Sequence, residues 1–332
     1  MNKKILNNKE EIVQEMLSGI EAAYSHKLIW EKEENVLYRK HIEEGKVGLM
    51  IGNGSGHEPA CVGFVGTNML DANIVGNIFA APGPFGILEG IKKVDKGNGT
   101  VVIISQHAGD ILNSKMGVDM AHDEGYDARV VIVHDDVVSA PKEEMSERRG
   151  TIGTLFVYKM LGGYAADMHN IDEVVSFGKD VVNNTRSIGM ANVPGTSPVN
   201  GELMFELADN QIEIGLGVHG ESAAETVSST SSKEIASIML EKLLEDIEHS
   251  EGDEFGVIVN SMGQTTLAEL HVFFKGINEL MINKKLKVFR PLIGEFVTSQ
   301  EMGGIALSIC KLNNEMKKHW VKDTDATHFP KL

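Results

Sequence analysis

TVVIISQHAGDILNSKMGVDMAHDEGYDARVVIVHDD, residues 100–136, decides the fold. Its first six residues, Thr100–Ser105, form an apolar, β-branched run bounded by Gly99, the composition of a buried strand. Asp110–Gly125 then reads as a helix, and Arg129–Val133 as a second strand that ends in His-Asp-Asp. Strand, helix and strand in that order are the repeat of an α/β sheet.

The repeat extends in both directions. Upstream, residues 8–25 carry apolar positions Ile12, Met16, Ile20 and Ala23 at helical spacing. Val47–Ile51 reads as a short buried strand that runs into GNGSGHEPA, 52–60, and Asn73–Ala80 is a further apolar run. PFGILEGIKKV, 84–94, predicts a helix with Pro84 in its first turn, where proline is tolerated. Downstream, helices are expected over about 150–167 and 171–185. The second half repeats the theme, with strands at Gln211–Gly217, Phe255–Asn260, Lys287–Ile293 and Ile305–Leu312. Its helices are Ser232–His249, opened by a capping-box pattern SSKE, and Thr265–Met281. The segment GMANVPGTSPVNGELM, 189–204, is rich in Gly, Pro, Ser and Asn and is read as the boundary. The expectation is two α/β domains, 1–188 and 189–332, each a sheet flanked by helices.

Bulk properties narrow the function. The net charge of −17 over 332 residues disfavours nucleic acid and anionic membrane surfaces. The longest basic cluster, Lys284–Lys287, holds three lysines. Cys61 and Cys310 form no CxxC, so neither a disulfide framework nor a zinc ribbon is expected. The N-terminal MNKKILNNKEEIV lacks the apolar core of a signal peptide, and no run of about 18 apolar residues occurs. A soluble cytoplasmic protein is the expectation.

Polar residues collect at strand ends. His57 follows the first strand through a glycine loop, Asp110 follows TVVIIS, and Asp135 and Asp136 follow RVVIV. In open α/β sheets ligands bind outside the carboxyl ends of strands, so these groups are expected on one rim. Each has a plainer reading. Asp110 fits a helix N-cap, the Asp135–Asp136 pair a solvated turn, and His57 a histidine packed behind a tight turn. Glycines at 52, 54 and 56 weaken the last, because they let backbone N–H groups approach a ligand.

The second histidine of interest, His219, stands in GLGVHGESAAE, 215–225. GLGVHG matches G-x-G-x-x-G, but the helix the dinucleotide fingerprint requires does not open at once. No Walker A pattern occurs, and no cofactor is expected. His107, Asp110, His134, Asp135 and Asp136 would be the donors of a rival metal reading. Their spacing fits no standard zinc site, and no metal is expected.

GNGSGHEP, AGDILN and LADNQIEIGLGVHGE together resemble the substrate-binding K subunit family of dihydroxyacetone kinase, of the phosphotransferase-dependent type. RRGTIGTLFVYKMLGGYAA, 148–166, and IGEFVTSQEMGGIALSICKL, 293–312, are similar to family segments too. The resemblance implies a homodimer of two α/β domains. It implies that His219 bonds covalently to the ketone carbon of dihydroxyacetone, giving a hemiaminal. It further implies that His57 is the acid/base partner and that Asp110 accepts a substrate hydroxyl. Gly54, Ser55, Gly56 and Ser105 would line the substrate. A carbonyl accepts a neutral imidazole; glycerol, which has none, cannot.

The chain departs from the kinase subunits around this triad. Asn53 stands where a third glycine is expected, Ser105 where a lysine is, and His107 near an expected tyrosine. Phe85 stands in place of an acidic residue, and Glu221-Ser222-Ala223 in place of Glu-Pro-Gly. This pattern resembles the family's operon co-activator paralogue. The expectation is therefore a ligand sensor that partners a TetR-type regulator. The alternative is a kinase subunit, for dihydroxyacetone or erythrulose, that partners an L subunit bringing ADP and magnesium.

Overall fold

The computed structural model describes residues 4–221 and 224–332. Ser222 and Ala223, part of the departure noted after His219, lie outside the described residues, as do Met1, Asn2 and Lys3. The chain divides into two compact units.

The first unit comprises the chain up to Val133 together with Val157–Asp180 and Lys322–Lys331. It opens with helix α1 (Ile12–Tyr24) and a hairpin of β1 (Leu28–Glu31) and β2 (Val36–Arg39). Then follow β3 (Gly48–Ser55), β4 (Ala72–Ile78), α2 (Pro84–Val94), β5 (Thr100–Ser105), α3 (Ala108–Asp123) and β6 (Ala128–Val133). The six strands form one sheet in the order β1-β2-β4-β3-β5-β6. β4, β3, β5 and β6 run parallel; β2 joins β4 antiparallel. The apolar runs are buried: Met50, Ile74, Val102 and Ile104 pack with Ile87 and Ile91 of α2 and with Val118 and Ala121 of α3. Helices α4 (Thr154–Ala165) and α5 (Ile171–Asn183) belong largely to this unit.

The second unit comprises His134–Phe156 and Val181–Val321, with Leu332. Its elements are β7 (Thr185–Val193), β8 (Gln211–Ile214), β9 (Glu225–Ser228), α6 (Ser232–Asp246), β10 (Glu254–Ser261), α7 (Leu267–Asn283), β11 (Lys287–Val288), β12 (Leu292–Gly294), β13 (Gly303–Lys311) and α8 (Asn314–Trp320). The strands form a second sheet in the order β11-β10-β13-β7-β8-β9, with β12 also on β10. Ile188, Ile212, Val257 and Leu307 of the sheet pack on Leu240 and Leu243 of α6 and on Phe273 and Ile277 of α7. Ser231 caps α6 by accepting the Glu234 N–H, as SSKE predicts. Thr266 and Glu269 form a full capping box on α7.

Three local readings change. Residues 189–193, read as the start of a linker, complete β7, which lies between β13 and β8. Met190 and Ala191 pair with both β13 and β8, Gly189 and Val193 pair with β13, and Asn192 is passed over where the register shifts between Gly303 and Gly304, so tertiary pairing overrides the weak strand propensity of this segment. The run Lys287–Ile293 splits into β11 and β12, because Arg290 takes a positive φ of 44° and Pro291 has no N–H for a ladder. β8 ends at Ile214, and the glycines after it form the turn that carries His219. The hairpin of β1 and β2, with Asn35 at φ 54°, was not anticipated.

Candidate functional site

β3 leaves the first sheet through the glycine loop. Its pairing with β4 shifts register between Gly54 and Ser55. A Cβ at Gly54 would meet Ala80 N at 2.7 Å, so glycine lets the β3 end and the loop after β4 close on one another. Ser55 Oγ donates to the Gly76 carbonyl at 2.6 Å, and the Gly56 N–H donates to Glu58 at 3.0 Å. Burial raises the Glu58 carboxyl above its usual range. Asn53, where a glycine was expected, accepts from Asn73 Nδ2 at 2.8 Å and donates to the Gly54 carbonyl at 2.9 Å. His57 follows, 7% exposed, its ring 5.0 Å from that of Phe79.

β5, the parallel neighbour of β3, ends at Ser105. The His107 N–H donates to the Ser105 carbonyl at 2.7 Å, and α3 begins at the next residue. His107, not Asp110, is the N-cap; Asp110 lies in the first turn, where the helix dipole favours a carboxylate. Asp110 is 9% exposed, and its Oδ2 lies 3.8 Å from His107 Nδ1. Because β3 and β5 are adjacent and parallel, His57 and Asp110 follow the carboxyl ends of neighbouring strands. His57 and Asp110 thus lie on one edge of this sheet; Asp135 and Asp136, expected on the same rim, belong to the second unit.

The solvated-turn reading of Asp135 and Asp136 is overturned: both are buried, at 0% and 2% exposure. Asp135 accepts from the N–H and hydroxyl of Thr151 and from the Gly153 N–H, at 2.8–2.9 Å, so protein donors replace water. Asp136 pairs with Arg149, Nε to Oδ2 at 3.0 Å. Burial pushes the Asp136 carboxyl up to about 6 against the pull of that guanidinium.

The second unit presents His219 in the turn after β8. Its backbone N–H donates to Glu221 Oε2 at 2.8 Å, and its Nδ1 lies 3.0 Å from Glu221 Oε1. An ionised carboxylate only accepts, so the proton of this pair is assigned to Nδ1 and the lone pair of the neutral ring to Nε2. Burial alone would raise the Glu221 carboxyl; the hydrogen bonds from His219 outweigh it and hold the group down at about 2. A Cβ at Gly217 would fall 2.1 Å from Glu221 Oε2, which explains the glycine there. The sequence places Arg149 within a family segment and Glu221 at the start of the departure after His219, but assigns neither a role in the site. The available signal was the pairing of HDD, 134–136, with RRG, 148–150, two doubled charges of opposite sign.

Among the described residues no helix is long and apolar enough to cross a membrane.

Residues 18–328 match the Dak1 domain family. The chain is 36% identical over 313 residues to the PTS-dependent dihydroxyacetone kinase 1, dihydroxyacetone-binding subunit DhaK, of Listeria innocua, a match covering 94% of this chain and 95% of that one. It is 32% identical over 313 residues to the DhaKLM operon coactivator DhaQ of Lactococcus lactis, again covering 94% and 95%. The crystal structure of the dihydroxyacetone kinase of C. freundii is similar with a TM-score of 0.91 at 26% identity; the match covers 99% of this chain and spans 60% of that one.

Proposed function

Since the chain belongs to the Dak1 domain family, we propose that it captures dihydroxyacetone as a covalent hemiaminal on His219 and acts as a ligand sensor. In this reading it is a cytoplasmic homodimer that co-activates a dihydroxyacetone kinase operon through a TetR-type regulator. The observation that carries the chemistry is the His219–Glu221 pair, with Nδ1 3.0 Å from a carboxylate oxygen. Nε2 attacks the ketone carbon, and the carbonyl π pair moves to oxygen. That oxygen takes a proton from His57, which regains one from solvent. The imidazolium so formed keeps its Nδ1 proton in the hydrogen bond to Glu221. Asp110 accepts a substrate hydroxyl, and Gly54, Ser55, Gly56 and Ser105 line the substrate.

The sensor rather than the kinase role is supported by what surrounds the triad. Ser105 brings no cation to the end of β5, where the kinase subunits are expected to carry a lysine. Phe85 brings no carboxylate. The second reading, a substrate-binding subunit of a phosphotransferase-dependent kinase, is favoured by the higher identity to DhaK than to DhaQ, 36% against 32%.

Two measurements test this. Intact mass in native solution should show one added dihydroxyacetone per chain, lost in His219→Ala; an adduct that persists in that variant refutes the covalent assignment. Phosphoryl transfer to dihydroxyacetone, assayed with the L subunit and the M subunit that rephosphorylates it, should be absent. Turnover at kinase-like rates would establish the second reading instead.

A further inference from the structure

Glu221 reaches His219 as the last member of a chain of buried and half-buried charges. Arg149 Nη1 lies 4.0 Å from Glu221 Oε2, a charge contact rather than a hydrogen bond. The guanidinium is fixed from its other side. Its Nε and Nη2 approach Asp136 Oδ2 at 3.0 and 2.8 Å, and Nη2 donates to the Gly215 carbonyl at 3.3 Å. The backbones are tied as well. The Arg149 N–H donates to Ser139 Oγ at 3.0 Å, and the Asp136 N–H donates to the Arg149 carbonyl at 3.1 Å. Asp136 also accepts the Val138 N–H at 3.3 Å. A Cβ at Gly217 would lie 2.1 Å from the Glu221 carboxylate and 2.5 Å from Arg149 Nη1. The turn is thus built to let these two groups meet beneath the histidine.

We propose that Arg149 is a positioning residue for covalent capture: it holds Glu221 on His219 Nδ1 and is itself held by Asp136. The proposal rests on the reading of His219 as the covalent residue. Arg149 touches no reacting atom. It faces Glu221 at 4.0 Å and aims it, and Glu221 keeps the ring proton on Nδ1 and the nucleophilic lone pair on Nε2. When Nε2 bonds to the ketone carbon the ring becomes cationic, and the ionised Glu221 is already in place beside it. A guanidinium suits the task because its planar fork spans Asp136 and the Gly215 carbonyl while still facing Glu221; a lysine offers a single ammonium.

The test uses the full chain with nitrogen-15 in its histidines. In the ligand-free wild type the His219 nitrogens should report one Nδ1–H tautomer. Arg149→Gln should give a mixture and slow dihydroxyacetone adduct formation, followed by intact mass, by roughly 10- to 100-fold, the scale of a misaligned reacting group. Arg149→Lys should recover part of both effects. Asp136→Asn, which keeps the packing and loosens Arg149, should move both readouts the same way. Wild-type nitrogen signals together with wild-type adduct rates in Arg149→Gln and Asp136→Asn overturn the proposal. A wild type that forms no adduct overturns capture at His219 instead, and the ligand-free tautomer measurement still decides whether Arg149 sets the ring.

Discussion

Asp110 separates the two readings of the protein at the scale of a single residue. It sits in the first turn of α3, where helix N–H groups favour its charge, and it is nearly buried. A kinase would need it as a base; a sensor would use it only to hold a hydroxyl. A hydrogen bond to a charged group contributes about 1.5–3 kcal/mol. Asp110→Asn retains the shape and loses the charge, so dihydroxyacetone binding should weaken roughly tenfold or somewhat more. Recruitment of the purified regulator at saturating ligand should be retained. Both are measurable by titration calorimetry and ligand-dependent association. Lost recruitment with the adduct demonstrably present would rule out the sensor mechanism drawn here.

At the scale of elements, a buried charge cluster secures the end of β3 opposite to the one that leads to His57. Asp71, just before β4, pairs with Arg39 at the end of β2 (2.7 Å) and with Lys46 just before β3. It also accepts the Leu49 N–H at 2.9 Å. The side chains of Asp71 and Lys46 are each 1% exposed and that of Arg39 is 9% exposed, so water cannot replace a lost partner. Asp71→Ala would leave the buried Lys46 ammonium without its carboxylate, while Arg39 would keep Glu43 at 3.2 Å; removing one partner of a buried pair costs about 3–5 kcal/mol. Denaturant unfolding should show a loss of that size. A loss below about 1 kcal/mol, the scale of an exposed pair, would mean that the cluster is solvated.

At the scale of the whole molecule, the C-terminal residues Lys322–Lys331 belong to the first unit. The Asn68 side chain donates to the Asp323 carbonyl at 2.7 Å, the Thr67 N–H to Asp325 Oδ1 at 2.6 Å, and the His328 N–H to the Gly63 carbonyl at 3.0 Å. The Lys159 ammonium donates to the Lys322 carbonyl and lies 5.8 Å from the Phe329 ring centre. Burial lowers that lysine to about 8. A chain ending at Val321 strips these groups of their partners. Hydrogen exchange should therefore accelerate over 62–70 and around Lys159, while α6 and α7 keep their protection. Unchanged exchange over 62–70 would show that the segment is dispensable to the first unit.

The sequence by itself determined the α/β alternation, because period and β-branched composition are local properties that each strand and helix carries within its own residues. It also exposed His57 and His219, since glycine-rich turns after apolar runs are legible wherever they occur, and Asp110 as the carboxylate that follows the run TVVIIS. The membership of β7 in a sheet, the return of 157–180 and 322–331 to the first unit, and the burial of Asp135 and Asp136 were decided only by tertiary structure. So was the approach of Arg149 to Glu221 across 72 positions of chain. The reason is physical: a carboxylate after a strand reads the same whether water or a distant N–H will satisfy it. Which of the two does so is settled by packing between segments that the sequence holds far apart.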